Sequence, residues 1–229
     1  MVKDNNTENL KVFSSSAKFP YPIDAVTFTR DYKTLYLTKY SASEGTEKIH
    51  KASFTPGDGG QGKWTIDENP LGFCSGKAIF THPALSADGR IMIFASNQPG
   101  SLGGMDLFIT QNEGGTWSQP KNLGDAINTK ANEMYPFLDS ENNLFYSSDG
   151  LLGLGGYDIF VCKFRGNTWE SPINLSAPVN TQFDDVAFTM DRKDGKSAFY
   201  TIKEKAGRKS VSLLKISMTE IGGPDKLAT

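Results

Sequence analysis

Cysteine and histidine are nearly missing from this chain, with two of each among 229 residues. Cys74 and Cys162 stand in no metal-ligand spacing, so they read as two unpaired, partly buried thiols and not as a disulfide or a metal site. His50 and His82 form neither a metal-binding pair nor the base of a Ser-His-Asp triad. A basic excess is missing too. The 24 Lys and Arg are outnumbered by 26 Asp and Glu, which excludes a phosphate-backbone binder built on clustered cations. No apolar run approaches the roughly 20 residues of a membrane span, so no direct membrane insertion is expected. The opening MVKDNNTENL lacks the apolar core of a signal peptide. Either the protein is cytosolic, or a leader and further domains lie outside this sequence. There is no G-x-S-x-G elbow and no P-loop, and the Gly-Gly pairs precede strands instead of opening helices. No cofactor is expected.

What the chain does have is turns, with 23 Gly and 11 Pro, and many short runs rich in aromatic and branched residues. Asn132–Thr181 holds four such runs, MYPFL, NLFYSS, GYDIFVCKF and TWESP, and the chain repeats this pattern. The apolar residues Phe28, Leu85, Leu138 and Phe188 recur at intervals of 57, 53 and 50, and Tyr36, Phe94, Tyr146 and Tyr200 follow in the same order. A GG-x-D-φ-F box appears at Gly103–Phe108 and Gly155–Phe160. A W-x-x-P-x-N-L box appears at Trp117–Leu123 and Trp169–Leu175, with Trp64, Pro70 and Leu71 as a looser copy. Four strands per period of this length indicate an all-β protein, a β-propeller of four-stranded antiparallel blades. The expected blades are 24–72, 77–128, 132–180 and 183–218 within a single domain, 9–219. Residues 1–8 form a disordered lead-in and 220–229 a tail. The fourth repeat has no W-x-x-P strand, and LKVF at 10–13 has no blade of its own, so the latter is expected to close the ring as the outer strand of the last blade. A piece of a larger ring is the alternative.

These boxes carry a resemblance. The run H-P-x-L-S-x-D-G-R-x-x-x-F-x-S (His82–Ser96), together with G-G-x-D-I-F, W-x-x-P-x-N-L and I/V-N-T, resembles the WD-like, TolB-type propeller repeats of Bacteroidota envelope proteins of the OmpA family. An accessory lipoprotein of type IX secretion is the best-known example. The resemblance spans Asp24 to Met218 and is strongest in the second and third repeats. It implies a periplasmic, outer-membrane-associated scaffold that binds a protein partner in the cell envelope. Glycan or peptidoglycan contact would fall to domains this chain does not contain.

The chemistry-bearing residues divide by recurrence. Asp106 and Asp158 follow Gly-Gly at strand starts, where a carboxylate can accept N–H bonds from the turn. Trp64, Trp117 and Trp169 recur as large aromatics usually do in a core. All five are expected to be structural. Thr110–Trp117 resembles the turn box of sialidase propellers, with Asn112 in place of Asp, and supports the geometry alone. Sialidase chemistry would need three converging arginines, yet Arg30, Arg90 and Arg192 fall in tight turns and only Arg165 and Arg208 remain.

Two functions compete. The first is a non-enzymatic interaction module. Its long loops SASEGTEK, NQPGSLGG and SDGLLGLGG all join the second strand to the third and share one face, and Leu102, Leu151, Leu152 and Leu154 are candidate partner contacts. The second is a glycan-binding or carbohydrate-active propeller. Its carboxylates would gather at the channel mouth, where the inner strands begin: Asp24, Glu133, Asp184 and Asp185, with Lys77, His82 and Tyr135 beside them. The first is favoured, because no catalytic constellation stands outside the repeats.

Overall fold

The computed structural model describes residues 25–41, 44–57, 62–191, 194–203 and 211–218. Among them there is no helix, and the strands form four antiparallel sheets arranged as a four-bladed β-propeller. The first sheet runs β1 (Val26–Phe28), β2 (Thr34–Ser41), β3 (Thr46–Pro56), β4 (Gly62–Ile66). The second is β5 (Phe80–Leu85), β6 (Ile91–Ser96), β7 (Asp106–Glu113), with β8 (Thr116–Trp117) and β9 (Lys121–Asn122) both on β7. The third is β10 (Glu133–Leu138), β11 (Leu144–Ser148), β12 (Asp158–Cys162) and β15 (Ile173–Asn174), with the hairpin β13 (Phe164–Arg165) and β14 (Thr168–Trp169) beyond it. The fourth is β16 (Asp184–Met190), β17 (Ser197–Lys203) and β18 (Val211–Ser217).

The first strand of each sheet lies innermost: β5 touches β1 and β10, and β10 touches β16. Strands in the middle of a blade are covered on both faces by neighbouring blades, so they read as unbroken apolar runs. Every residue of β11, LFYSS, is buried. Phe145 faces the fourth blade, where it stacks on Phe188 at 4.6 Å between centroids. Leu144 and Tyr146 face the second blade and pack with Ile93, Ala95 and Leu107. A third cluster joins Tyr36 and Ile49 of the first blade to Phe80, Met92 and Phe94 of the second. Trp117 packs edge-on against Tyr36 across that interface, with centroids 5.6 Å apart. Cys74 and Cys162 are free and buried, and burial pushes both thiols up to about 12.

Three details differ from the sequence reading. TWESP does not form a fourth strand. Its Thr168–Trp169 pairs with β13, and the outer strand on β12 is Ile173–Asn174. The same break separates β8 from β9 in the second blade. Pro120 and Pro172 stand at the break, where a residue without an N–H cannot join the ladder. Second, the inner strands β5, β10 and β16 are not straight. Each shifts register at a bulge, and His82, Tyr135 and Ala187 sit there at φ 51°, 54° and 59°. Third, the fourth-blade equivalent of Leu85 and Leu138 is Met190, not Phe188. Ser86, Asp139 and Asp191 open matching turns with bonds to Ile91, Asn143 and Ser197, and the residue before each is the equivalent one. The expected strand 10–13, Asp24, Arg192 and Arg208 lie outside the described residues.

Candidate functional site

Antiparallel pairing places the connections between second and third strands at one end of the blades and the inner hairpin turns at the other. At the first end, the connections of the second and third blades lie on the linkers leading to the next blade. A Cβ on Gly103 would meet the backbone of Lys130, and one on Gly155 would meet the carbonyl of Phe183. Glycine is required where two backbones come this close. Asp106 Oδ2 accepts from Leu102 N at 2.7 Å and from Asn122 Nδ2 at 2.7 Å. Asp158 accepts from Leu154 N at 3.2 Å and Gly155 N at 3.0 Å. On this fixed frame the leucines diverge. Leu151 packs against the interface between the second and third blades, whereas Leu102, Leu152 and Leu154 are 48%, 97% and 59% exposed.

The acidic residues at the starts of the inner strands bind the linkers. Glu133 is fully buried and accepts from Thr129 N at 2.9 Å, Thr129 Oγ1 at 2.7 Å and Ser148 Oγ at 2.8 Å. Asp185, also fully buried, accepts from Thr181 N at 2.6 Å and Thr181 Oγ1 at 3.0 Å. Burial raises the pKa of both, that of Asp185 to about 6, with the neighbouring charges of Asp158 and Asp184 adding to it. Asp184 Oδ1 accepts from Tyr157 N at 3.2 Å, and Lys77 is exposed. A glycosidase pair needs two carboxylates facing a shared opening. Glu133 and Asp185 face the interior of two different interfaces.

Lys48 is a residue that the sequence reading passed over. The register puts it in the first blade where Asp106 and Asp158 stand in the next two. Only 2% exposed, it donates from Nζ to Gly76 O at 2.7 Å and Ala78 O at 2.8 Å, and lies 4.8 Å over the Phe80 ring. Phe80 in turn holds the position of Glu133. The first interface is thus clamped by a cation and an aromatic face, and the next two by carboxylates. The visible signal was the spacing from the second strand, which the absent GG-x-D box concealed.

On the axis, His82 and Tyr135 stack at 3.9 Å between centroids. Lys203 Nζ donates to Tyr135 Oη at 3.0 Å and sits 5.1 Å over its ring. Of the mouth residues named from sequence, these two are brought together, while Glu133 and Asp185 are drawn away from the axis. At the opposite end, the inner turns of all four blades surround a cavity of about 720 Å³ reached by Arg30, Ala87, Glu141 and Gly195. Among the described residues no cluster of His, Cys, Asp or Glu is arranged to hold a metal ion.

No family model matches the sequence, and no curated protein does. Solved structures do. TolB from Acinetobacter baumannii is 14% identical with a TM-score of 0.51 over 86% of this chain and 43% of that one. A putative TolB from Agrobacterium tumefaciens is 12% identical with a TM-score of 0.53, over 87% and 62%. An alpha-L-arabinofuranosidase from Lactobacillus brevis is 10% identical with a TM-score of 0.50, over 80% and 68%. The chain spans less than two thirds of either TolB structure. Because a glycosidase shares the architecture, the fold does not decide the chemistry. At these identities the likeness is one of fold, and that fold, which the two TolB structures share, is the β-propeller.

Proposed function

We propose that this propeller is a non-enzymatic interaction module that presents the loops between its second and third strands to a protein partner in the bacterial envelope. The observation that supports it is Leu152, 97% exposed beside the 59% exposed Leu154, on a loop whose backbone is pinned by Asp158 and by contact with the next linker. Leu102 projects from the equivalent loop of the preceding blade. Apolar side chains on a preorganised frame lose little entropy on binding, which suits protein contact. The burial of Glu133 and Asp185 counts against the glycan-active reading. The finer assignment rests on the motif resemblance: a periplasmic scaffold in an outer-membrane- or peptidoglycan-associated complex of the type IX secretion kind.

The test compares wild type with a Leu152→Ser/Leu154→Ser variant as bait in envelope extract. The expected result is a partner retained by wild type and lost by the variant at unchanged melting temperature. Equal recovery from both would sink the reading.

A further inference from the structure

Three junctions between blades are sealed in one way. A residue of the third strand, Ile49, Leu107 or Ile159, is 0% exposed and packs with the next blade. The linker entering that blade lays an apolar residue into the same cluster: Cys74, Ile127 or Val179. Leu213 is the fourth member of the set, because Thr38, Ala95, Ser147 and Thr201 pair with Ile49, Leu107, Ile159 and Leu213. Yet Leu213 is 72% exposed. Among the described residues no apolar cluster joins the fourth blade to the first, and the cluster of Leu35, Leu37, Ala52 and Trp64 stays within the first.

The linker that enters the first blade is the chain ahead of Ala25, and its sequence carries the matching spacing. Thr38 N donates to Ala25 O at 3.1 Å, which gives Ala25 the place of Thr81, Met134 and Val186. Asp24 is then the sequence counterpart of Phe80, Glu133 and Asp185. The outer strands β9 and β15 begin twelve residues before Glu133 and Asp185, and twelve before Asp24 is Val12, within LKVF. Cys74, Ile127 and Val179 come six before their counterparts, and six before Asp24 is Lys18, followed by Phe19. The match is of spacing and apolar character, since Phe19-Pro20 replaces the Asn-Thr pair. Phe19 and Tyr21 each precede a proline, which favours extended backbone. The eleven residues from Ser14 to Asp24 can span about 36 Å, against about 15 Å across three strands.

We propose that residues 10–23 close the fourth junction within their own chain, with LKVF alongside β18 and the aromatic pair Phe19 and Tyr21 over Leu213. This closure does not depend on what the leucine-bearing loops bind. Cross-linking of the full chain with a short bismaleimide tests it. Lys18→Cys/Lys215→Cys puts one thiol beside Phe19 and one on the face of Leu213, at an exposed position two residues on, and leaves the apolar residues intact. Lys18→Cys/Lys121→Cys puts the second thiol on the outer strand of the second blade, across the ring. Cys74 and Cys162 are buried thiols pushed up to about 12, and they stay unreactive. The expected product is a bridged monomer, formed at least about 10-fold faster in the first pair because the two groups share one junction. Leu213→Ala should lower the folding constant in urea at least about 10-fold, the effect of truncating a buried leucine and not an exposed one. Bridged dimers overturn the proposal, since a second copy would then supply the segment. Equal rates in the two pairs overturn it as well, as does a smaller loss in Leu213→Ala.

Discussion

Asn128 and Asn180 stand in for a missing stretch of outer strand. The outer-strand ladder of the second blade stops opposite Phe108; beyond it Leu123 N still donates to Leu107 O at 3.1 Å, but the Leu107 N–H has no acceptor on that strand. Asn128 Oδ1 accepts from Leu107 N at 2.8 Å and its Nδ2 donates to Leu107 O at 2.9 Å, while Asn180 treats Ile159 in the same way at 2.8 and 2.9 Å. The side-chain amide supplies the acceptor for the N–H and a second donor to the carbonyl. Asn128→Ala would leave the Leu107 N–H buried and unpaired, and urea denaturation should show a loss of about 1–3 kcal/mol. The I/V-N-T box was legible as a repeat. Its partner was not, because the bond reaches back 21 residues to a strand whose edge the sequence does not mark. Asp185 gives a pH prediction. Its folded pKa of about 6 lies above the ordinary aspartate value of 3.8, so the folded state binds the proton more tightly than the unfolded chain. The stabilisation is fully present below about 3.8 and is lost as pH rises through about 6. Its size is at most about 3 kcal/mol for two pKa units. Asp185→Asn should flatten the decline in melting temperature between pH 4 and 7 relative to wild type; parallel profiles would show that Asp185 does not carry it.

At the scale of the element, the inner strands are where pattern reading stopped short. MYPFL and FTHPAL look like plain strands; FTHPAL is buried throughout, whereas in MYPFL Pro136 and Leu138 are buried and Met134, Tyr135 and Phe137 half-buried. The bulge that turns His82, Tyr135 and Ala187 into the left-handed region leaves no reliable mark in a single sequence. Proline follows the first two but not Ala187. The inner strand needs the bulge because four blades converge on an axis and the strand must bend to let them meet. Blade one supports the neighbouring strand at this point: Thr38 Oγ1 accepts from His82 N at 3.1 Å, and Thr27 Oγ1 from Leu85 N at 3.2 Å. A non-glycine residue in this region costs about 1 kcal/mol or more. Ala187 carries only a methyl group to lose, so Ala187→Gly should raise stability by about 0.5–1 kcal/mol. Ala187→Val, β-branched at positive φ, should lower it. A urea midpoint that moves the same way in both variants would count against the strained-bulge account.

For the whole molecule, the governing fact is that adjacent residues of one strand belong to different interfaces. Phe145 packs toward the fourth blade and Tyr146 toward the second. The repeat period and the number of sheets were legible because a blade must cover both of its faces with like neighbours, which imposes the same apolar grammar on each repeat. The charge reversal at Lys48 was not, since a clamp can be built from either sign once linker carbonyls or amides are within reach. This sharing of faces predicts how the molecule unfolds. Loss of the fourth blade alone would expose Phe145, Ile159 and Val161 to water, so blades should not detach one at a time. The three tryptophans sit in the first three blades, at 64, 117 and 169, and the fourth has none. Phe145→Ala opens a cavity against Phe188 and should cost about 3–5 kcal/mol. If the ring unfolds as one unit, tryptophan fluorescence and far-ultraviolet circular dichroism should move to lower urea together in this variant. If the fourth blade comes away first, circular dichroism will fall before fluorescence changes. That separation would replace a cooperative ring by a stack of independently melting sheets, and it would confine the rigid frame behind the leucine-bearing loops to the first three blades.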